Sequence, residues 1–170
     1  MPIPLPIETE RLVVRPFVPA SDSDAMVDVY CDPEVMRFIP GGALPDIDAV
    51  RTTLATHAEA QKERGFSCWA VAQRANGRVI GDVGFGIFEP TGDIELGYTL
   101  ARNRWGLGFA TEAAAASLAS GLAHLAAPRI IALVDAENQA SMRVPPRIGM
   151  TRIETIEAYE RPHVLFAALR

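Results

Sequence analysis

The spacing of hydrophobic and polar residues along the chain predicts a series of short, distinct elements. Residues 11–15 alternate and include β-branched side chains, which predicts a first strand. A helix follows with Ser21 as its predicted cap, and Pro33 ends or kinks it. A second helix is predicted at about 46–64, because apolar residues recur there at helical spacing and Gly65 provides a stop.

The middle of the chain has the pattern of consecutive β-hairpins. Apolar runs at 67–73 and 78–88 are separated by Ala-Asn-Gly at 75–77, a strong signal for a tight turn. A second turn at 89–92 leads into another apolar run at 94–100. These short links predict three consecutive antiparallel strands.

The last third of the chain combines a long helix with shorter elements. Residues 110–127 are rich in alanine and carry leucines on one stripe, which predicts a helix that Pro128 stops. A buried strand is predicted at 130–134. The remaining predicted elements are a short helix at 138–143 and final strands at 150–156 and 164–169. Since no linker or repeat interrupts the pattern, we expect residues 1–170 to form one α+β domain with a mixed sheet.

The composition narrows the classes of protein to consider. The chain has 170 residues, of which 49% are hydrophobic and 22% charged, as in a globular domain and unlike a disordered tail. Its 16 Lys and Arg against 21 Asp and Glu give a net charge of −5, which argues against broad nucleic-acid or anionic-membrane binding. No segment resembles a signal peptide or a membrane-spanning helix. We therefore expect a cytoplasmic protein without nucleic-acid or membrane partners.

The two cysteines, Cys31 and Cys68, are too few for a disulfide framework and lack the spacing of metal ligands. Cys68 stands beside Trp69 in an apolar run, which favours a buried free thiol. No bound metal is expected from the sequence.

The strongest chemical signal is a glycine-rich turn between a predicted strand and the alanine-rich helix. Gly106 and Gly108 allow the backbone to approach a ligand closely, and the start of the helix offers unpaired amides and a positive dipole end. Together they favour a site for a phosphate or a pyrophosphate. The alternative is a glycine-rich connection that only permits a tight turn.

Two common phosphate motifs fit this turn poorly. A Walker loop requires a lysine after its glycines, and none follows here. In a Rossmann site, Thr111 would stand where the third glycine belongs, and Asp135 lies too far downstream to bind the ribose. The three antiparallel strands that precede the turn also fit poorly with a doubly wound sheet.

Several motifs follow one another in the order and spacing of a known family. The segment Gly106–Ala113 has the form Gly-x-Gly-aromatic-Ala-Thr-Glu-Ala. Further motifs are the segments Glu8–Arg15, Asp32–Arg37 and Glu95–Tyr98, and the stretch 138–150 with Asn-x-x-Ser and then Gly-Met. The chain resembles the GNAT superfamily of N-acetyltransferases, whose acyl-CoA motif the first segment matches. More narrowly, it resembles the RimJ/RimL-type branch, which acetylates the α-amino groups of ribosomal proteins.

This resemblance implies the fold and the site of the coenzyme. The implied fold is α+β, similar to an α/β sandwich, with a mixed, mostly antiparallel sheet, splayed central strands and about four helices. The pantetheine arm of acetyl-CoA is expected between the splayed strands, bound by backbone groups of Tyr98 and Leu100. The amides from Trp105 to Ala110 are expected to hold the pyrophosphate. The residues assigned to the coenzyme are Tyr98, Leu100, Trp105, Gly106, Leu107, Gly108, Phe109, Ala110, Thr111, Asn138 and Arg143.

Leu107 departs from the family pattern, because relatives often carry a basic residue there. One auxiliary phosphate contact is therefore expected to be missing. Arg102, Arg104 and Arg143 are candidate substitutes, and the alternative for each is a solvated surface arginine.

Acetyl transfer to an amine requires a neutral amine, a stabilised oxyanion and a proton for the departing thiolate. Many family members supply that proton from a tyrosine seven residues after the asparagine, and here that position is Pro145. The branch resemblance makes Ser141 the candidate acid, with a simple backbone hydrogen bond as the alternative. Asn138 is expected to contact the coenzyme, to cap the short helix, or to do both.

Pro145 and Pro146 are a further departure, because this stretch is helical in relatives. Proline removes a backbone donor and clashes with the preceding turn, so a short or kinked helix is predicted after Ser141. A reshaped pocket with reduced activity would leave a second function open. That alternative is a catalytically degenerate module that binds acyl-CoA as a sensor or an interaction partner.

Glu95 is the candidate base, because a carboxylate on the central strand can accept the amine proton through water. The alternative is a carboxylate that faces solvent or pairs with Arg74 or Arg78. Three residues near the final hairpin are assigned to the acceptor side or to a structural role: Tyr159, Glu160 and His163.

The expected activity is direct transfer of the acetyl group of acetyl-CoA to a primary amine. A protein N-terminal α-amine is favoured as the acceptor, and a small-molecule amine is the alternative. A covalent acyl-enzyme is not expected, because Cys31 and Cys68 are predicted to lie outside the cleft. A homodimer is the expected assembly if the chain oligomerises, since dimers are frequent in the family.

Overall fold

The computed structural model describes residues 1–170, and its eight strands form one sheet. The strands are β1 (Ile7–Glu8), β2 (Leu12–Arg15), β3 (Cys68–Gln73), β4 (Val79–Phe88), β5 (Asp93–Leu100), β6 (Arg129–Asp135), β7 (Thr151–Ala158) and β8 (Arg161–Leu169). The helices are α1 (Pro19–Tyr30), α2 (Ile47–Arg64), α3 (Phe109–His124) and α4 (Val144–Arg147), with 3₁₀ turns at Met36–Phe38, Arg102–Arg104 and Ser141–Arg143.

The sheet has the order β1-β2-β3-β4-β5-β6-β8-β7, and only β5 and β6 run parallel. These two strands pair only where Ile94 lies opposite Ile130 and Glu95 lies opposite Ile131. Beyond that point they diverge and leave a gap in the middle of the sheet. The predicted α+β fold with a mixed, splayed sheet and about four helices is confirmed.

Helices cover both faces of the sheet. On one face, α3 buries Ala114 and Leu118 against strand residues such as Trp69 and Phe85. On the other, α1 and α2 bury a second cluster that includes Met26. Because side chains alternate along a strand, β5 sends its even-numbered residues to the α3 face and its odd-numbered residues to the α1–α2 face. Side chains of β5 at the gap therefore point to both faces of the sheet, some toward α3 and some toward α1 and α2.

Two of the predicted helix ends depend on local capping. Asp46 caps α2 by accepting a hydrogen bond from the Ala49 amide at 2.9 Å, and Gly65 ends the helix with a left-handed φ of 78°. The predicted cap at Ser21 is wrong, because α1 already begins at Pro19. Proline fixes φ at a helical value and has no amide that would need a partner, so the helix starts three residues earlier, with Val18 at the cap position.

The elements around the C-terminal third differ in length from their predictions. The helix α3 ends at His124, short of the predicted residue 127, because Leu125 is extended and buries its side chain in the core. The predicted short helix after Ser141 is confirmed: α4 has four residues, with Pro145 and Pro146 in its first turn, where no amide is needed. No helix has both the length and the apolar composition required to cross a bilayer.

Candidate active site

A cavity of about 550 Å³ opens where β5 and β6 stop pairing. Its walls come from β5 and β6, from the segment between α1 and α2, and from the turn between β7 and β8. The structure brings several sequence-predicted residues together in this one cavity, and these are Glu95, Tyr98, Asn138, Ser141, Tyr159 and His163. Glu160 is not among the lining residues. No group of three or more His, Cys, Asp or Glu side chains is arranged to hold a metal ion.

Glu95 lies at the last paired position of β5, where the gap begins. The Tyr159 hydroxyl donates to Glu95 Oε2 at 2.5 Å. Burial raises the pKa of Glu95 above its ordinary value, while the Tyr159 hydrogen bond and the nearby His163 oppose that rise. Neither Arg74 nor Arg78 reaches it, because they lie 3.8 Å from Glu8 and 3.7 Å from Asp28 respectively. The carboxylate therefore forms no ion pair with an arginine and holds a proton more tightly than an exposed glutamate does.

Tyr159 reaches Glu95 because of the turn that carries it. Tyr159 and Glu160 both have left-handed φ angles, of 51° and 63°, which makes the hairpin between β7 and β8 tight. The Tyr159 ring packs edge-on against Phe88 and His163, with centroid distances of 5.9 and 5.6 Å. The hairpin tip therefore holds a phenol over the candidate base.

His163 is buried beneath this tip, and its Nδ1 lies 2.9 Å from the Arg161 carbonyl oxygen. A carbonyl can only accept, so Nδ1 carries the proton and Nε2 is left for the cavity side. The ring lines the cavity, and its structural or substrate-rim role stays a prediction.

Ser141, in the 3₁₀ turn that follows β6, and Tyr98, on β5, form a hydroxyl pair across the gap. Ser141 Oγ donates to the Tyr98 hydroxyl at 3.0 Å, and that hydroxyl donates to the Ser141 carbonyl at 3.2 Å. Burial raises the pKa of Tyr98 to about 12, so its phenol stays protonated at neutral pH. Asn138 Oδ1 accepts from the Ser141 amide at 3.1 Å and so holds the turn that presents the serine.

A second carboxylate, Asp82 on β4, lines the same cavity and was not identified from the sequence. It is 5% exposed, and the Tyr30 hydroxyl from α1 donates to its Oδ2. Burial raises the pKa of Asp82 from 3.8 to about 6, with hydrogen bonds from Tyr30 and Thr99 opposing the shift. A single acidic residue inside an otherwise apolar strand was the available sequence signal.

The predicted phosphate loop lies at the far end of β5, next to the start of α3. Gly106 and Gly108 adopt left-handed φ angles of 73° and 80°, which explains why glycine stands at both positions. The six amides from Gly106 to Thr111 donate no hydrogen bond within the chain, and α3 has no side-chain cap. Free amides in a glycine-rich turn at a helix start are suited to bind an anion.

Arg11, which was not predicted as a site residue from the sequence, contacts this loop and stabilises it. Arg11 Nε donates to Glu112 Oε2 at 2.6 Å, and Arg11 Nη1 donates to the Leu107 carbonyl at 3.0 Å. Its guanidinium also lies 4.4 Å from the centre of the Phe109 ring. Arg11 Nη2 is so close to Gly108 that it lies 3.4 Å from the position that a Cβ atom would occupy there. A guanidinium, paired with Glu112, therefore stands beside the loop, where Leu107 supplies no cation.

Other residues assigned to the coenzyme have partners within the chain. The Trp105 amide donates to the Arg102 carbonyl at 3.2 Å, and its indole donates to the Leu100 carbonyl at 2.8 Å. Arg102 forms a bidentate pair with Asp32, with contacts of 2.7 and 2.8 Å from Nη2. Of the three candidate arginines, Arg104 and Arg143 form no ion pair, and Arg143 is exposed at the end of its 3₁₀ turn.

The backbone of Tyr98 faces the gap. Ala101 donates to the Ile80 carbonyl on β4, and hydrogen-bonding positions alternate along a strand pair. The peptide groups of Tyr98 and Leu100 therefore point away from β4, toward the gap. An extended ligand placed there could pair with β5 as an added strand.

The prediction that both cysteines lie outside the cleft is wrong for Cys68, which lines the cavity. It stands at the start of β3, opposite Gly84, on the α1–α2 face. Burial raises the pKa of the Cys68 thiol, so it stays protonated and is a weak nucleophile.

A family profile described as an acetyltransferase (GNAT) domain matches residues 11–151. The chain is 29% identical over 154 residues to a Bacillus licheniformis protein named uncharacterized N-acetyltransferase p20, which covers 90% of this chain and 86% of that protein. A GNAT-family acetyltransferase structure from Bacillus anthracis is similar with a TM-score of 0.83 and 26% identity, covering 97% of this chain and 98% of that one.

The fold is also similar to that of a ribosomal-protein-S5-alanine acetyltransferase from Vibrio fischeri. The TM-score is 0.80 over 98% of this chain and 97% of the other, at 17% sequence identity.

Proposed function

The chain belongs to the GNAT acetyltransferase family, and on that premise we propose that it transfers the acetyl group of acetyl-CoA directly to a primary amine. The observation that carries this proposal is the shared cavity of Glu95 and Ser141. The two residues lie far apart in sequence, yet both line the gap that opens between β5 and β6. A base and a proton donor on opposite sides of one gap are what the transfer of an acyl group between sulfur and nitrogen requires.

The residues around the gap fit acetyl-CoA. The free amides from Gly106 to Thr111 suit a pyrophosphate, and Arg11 adds a positive charge beside them. Backbone groups of Tyr98 face the gap in the orientation needed to pair with the amides of a pantetheine arm. When bound, the coenzyme supplies an activated acetyl group as a thioester.

Glu95 acts as the base in this proposal. The acceptor amine arrives as an ammonium ion and must lose a proton before its nitrogen can bond to the acetyl carbon. Burial shifts the pKa of Glu95 upward, toward neutral pH, and a general base works best when its pKa lies near the working pH. Tyr159 keeps the carboxylate oriented toward the gap through its 2.5 Å hydrogen bond.

Ser141 acts as the proton donor to the thiolate sulfur that departs as the nitrogen–carbon bond forms. Its hydroxyl is oriented by Tyr98, and its backbone is held by Asn138. Tyr98 stays protonated and contacts Ser141, so it returns a proton to the serine after the sulfur is protonated. The second proton that the nitrogen releases as the amide forms then restores the Tyr98 hydroxyl through solvent. A phenol thus stands beside the serine although Pro145 occupies the position of the family's usual tyrosine.

The acceptor we favour is the α-amine of a protein N-terminus, as the motifs shared with the RimJ/RimL-type branch suggest. A small-molecule amine is the alternative within the same chemistry. Both would enter from the α1–α2 face, where the segment between these helices and the β7–β8 turn form the walls of the cavity.

The test is a thiol-release assay with acetyl-CoA over a panel of N-terminal peptides, polyamines and aminoglycosides. We expect release of CoA together with the N-acetylated amine for at least one class. Tight acetyl-CoA binding without turnover of any amine would instead support the acyl-CoA-binding module and overturn the enzymatic proposal.

A further inference from the structure

The acidic side chains of the protein divide into paired and unpaired groups. Seven carboxylates are not exposed, and five of them pair with an arginine: Asp22, Asp32, Asp93, Glu112 and Asp135. The remaining two, Asp82 and Glu95, have no arginine or lysine within salt-bridge distance and instead accept hydrogen bonds from the hydroxyls of Tyr30 and Tyr159. Both of these carboxylates line the cavity.

A buried carboxylate without a cation is unfavourable, because neutral donors replace its lost hydration only in part. The protein matches the other five with guanidinium groups, which shows that its sequence can supply such partners. The cavity itself contains none, since its 25 lining residues include no lysine or arginine. Two carboxylates face one cavity without an arginine or a lysine, and only His163 lies near one of them, Glu95. This arrangement points to a ligand that brings positive charge.

The two carboxylates stand at a defined separation on the same face of the sheet. Asp82 lies opposite Thr99 in the β4–β5 register, and Thr99 is four residues beyond Glu95 on β5. At about 3.3 Å per residue, the Cα atoms of Glu95 and Thr99 are roughly 13 Å apart. Gly97 lies midway between them, and a Cβ placed on it would meet no atom within 4 Å. The floor between the two carboxylates is therefore open.

We propose that the acceptor is a primary amine with a second positive charge, its reacting nitrogen near Glu95 and its second cation near Asp82. This inference rests on the proposed acetyl transfer and specifies the acceptor. Tyr30 donates its hydroxyl to Asp82 and also lines the cavity, so the carboxylate is held in place for the second cation. His57 also lines the cavity, and burial lowers its pKa, so it adds no competing charge at neutral pH.

The experiment compares each diamine with the amino alcohol of the same length, so that only the second charge changes. The probes are 1,8-diaminooctane against 8-aminooctan-1-ol, and 1,4-diaminobutane against 4-aminobutan-1-ol. We expect kcat/KM for the long diamine to exceed that of its amino alcohol at least tenfold, beyond the twofold advantage of two identical ends. The short pair should show a smaller ratio, because it cannot span both carboxylates.

Peptide probes distinguish the source of the second charge. A peptide with lysine at its second position is compared with the same peptide carrying glutamine there. A tenfold lysine preference without a diamine preference would support the dicationic acceptor as a protein N-terminus. A tenfold diamine preference without a lysine preference would support a free diamine as the acceptor.

Variants test the placement of the second cation. Asp82→Asn should reduce the diamine-to-amino-alcohol ratio to near the statistical twofold value, whereas Asp24→Asn, an exposed carboxylate on α1 without an ion pair, should leave the ratio unchanged. Gly97→Ala places a methyl group between the carboxylates and should lower kcat/KM for the long diamine at least fivefold.

The two proposals can fail separately. Turnover of amines with statistical ratios for every pair, unchanged in Asp82→Asn, would overturn the dicationic acceptor and leave acetyl transfer intact. If no amine is acetylated, calorimetry of the probes on CoA-saturated protein decides the matter. Equal affinity for the diamine and its amino alcohol would then overturn the inference, and at least tenfold tighter diamine binding would support it.

Discussion

At the scale of single residues, the environment of Glu95 differs from that of an ordinary surface carboxylate. The strand places it at the edge of the gap, and the β7–β8 turn places a phenol above it. Burial raises its pKa, while His163 and the Tyr159 hydrogen bond limit the rise. The position of Glu95 and its affinity for a proton therefore both depend on residues that are distant in the sequence.

Replacing Glu95 by glutamine should lower kcat about 100-fold, within the usual range for a general base. In the wild type, kcat/KM should rise with pH through the raised pKa of Glu95, because only the ionised carboxylate accepts a proton. That acidic limb should disappear in Glu95→Gln. The measurement is the pH–rate profile, with Glu154→Gln on the exposed face of β7 as a control. An unchanged acidic limb would exclude Glu95 as the base.

Ser141→Ala should lower kcat about 100-fold while changing the Kd for acetyl-CoA less than threefold. The reason is that the proton to sulfur is needed only as the carbon–sulfur bond breaks. Steady-state kinetics and calorimetry give the two quantities separately. Equal turnover in the variant would remove the role assigned to Ser141 and leave Tyr98 as the proton donor.

At the scale of elements, the loop before α3 is held by the segment that precedes β2. Arg11 and Glu112 are 101 residues apart, and their contact at 2.6 Å fixes the loop against the sheet. Thr9 Oγ1 adds a second donor to the same carboxylate, also at 2.6 Å. The free amides are thus preorganised by long-range contacts as well as by glycine.

Arg11→Ala should weaken acetyl-CoA binding about tenfold, which corresponds to about 1.4 kcal/mol. It removes both the brace on the Leu107 carbonyl and the charge beside Gly108. Calorimetry with acetyl-CoA measures the change, and Arg51→Ala on the exposed face of α2 is the matched control. An affinity for acetyl-CoA equal to that of the wild type would show that the loop binds the coenzyme without a contribution from Arg11.

The elements that local chemistry determines were predictable from the sequence. The helix α2 has an Asp46 cap and a Gly65 stop, and the β3–β4 hairpin has an Ala-Asn-Gly turn. The two-residue strand β1 and the 3₁₀ turns are too short to show a period. The contact between Arg11 and Glu112, and the position of Asp82 under Tyr30, follow from tertiary packing that a sequence pattern does not contain.

At the scale of the whole molecule, the cavity has a stability consequence. In the native state burial raises the pKa of Asp82 from 3.8 to about 6, so the folded protein retains a proton that the unfolded chain has lost. Stability from this group is therefore lost as pH rises from about 4 through about 6, by at most about 3 kcal/mol. At neutral pH, the buried Asp82 carboxylate therefore lowers the free energy of unfolding.

Asp82→Asn should lack this dependence. Relative to the wild type, its free energy of unfolding should rise by up to about 3 kcal/mol between pH 4 and pH 8. Urea denaturation at both pH values measures the difference, and Asp24→Asn should show no such change. A parallel pH dependence in Asp82→Asn and the wild type would contradict the raised pKa.

The most direct test of acetyl transfer in this cavity is the initial velocity with acetyl-CoA and an amine both varied. The product is identified by mass spectrometry. Intersecting lines and an N-acetylated amine, with no acetylated protein, are expected from a base and a proton donor that face one gap. Acetyl-CoA binding without an acetylated product from any amine, or parallel lines with an acetylated protein, would contradict it.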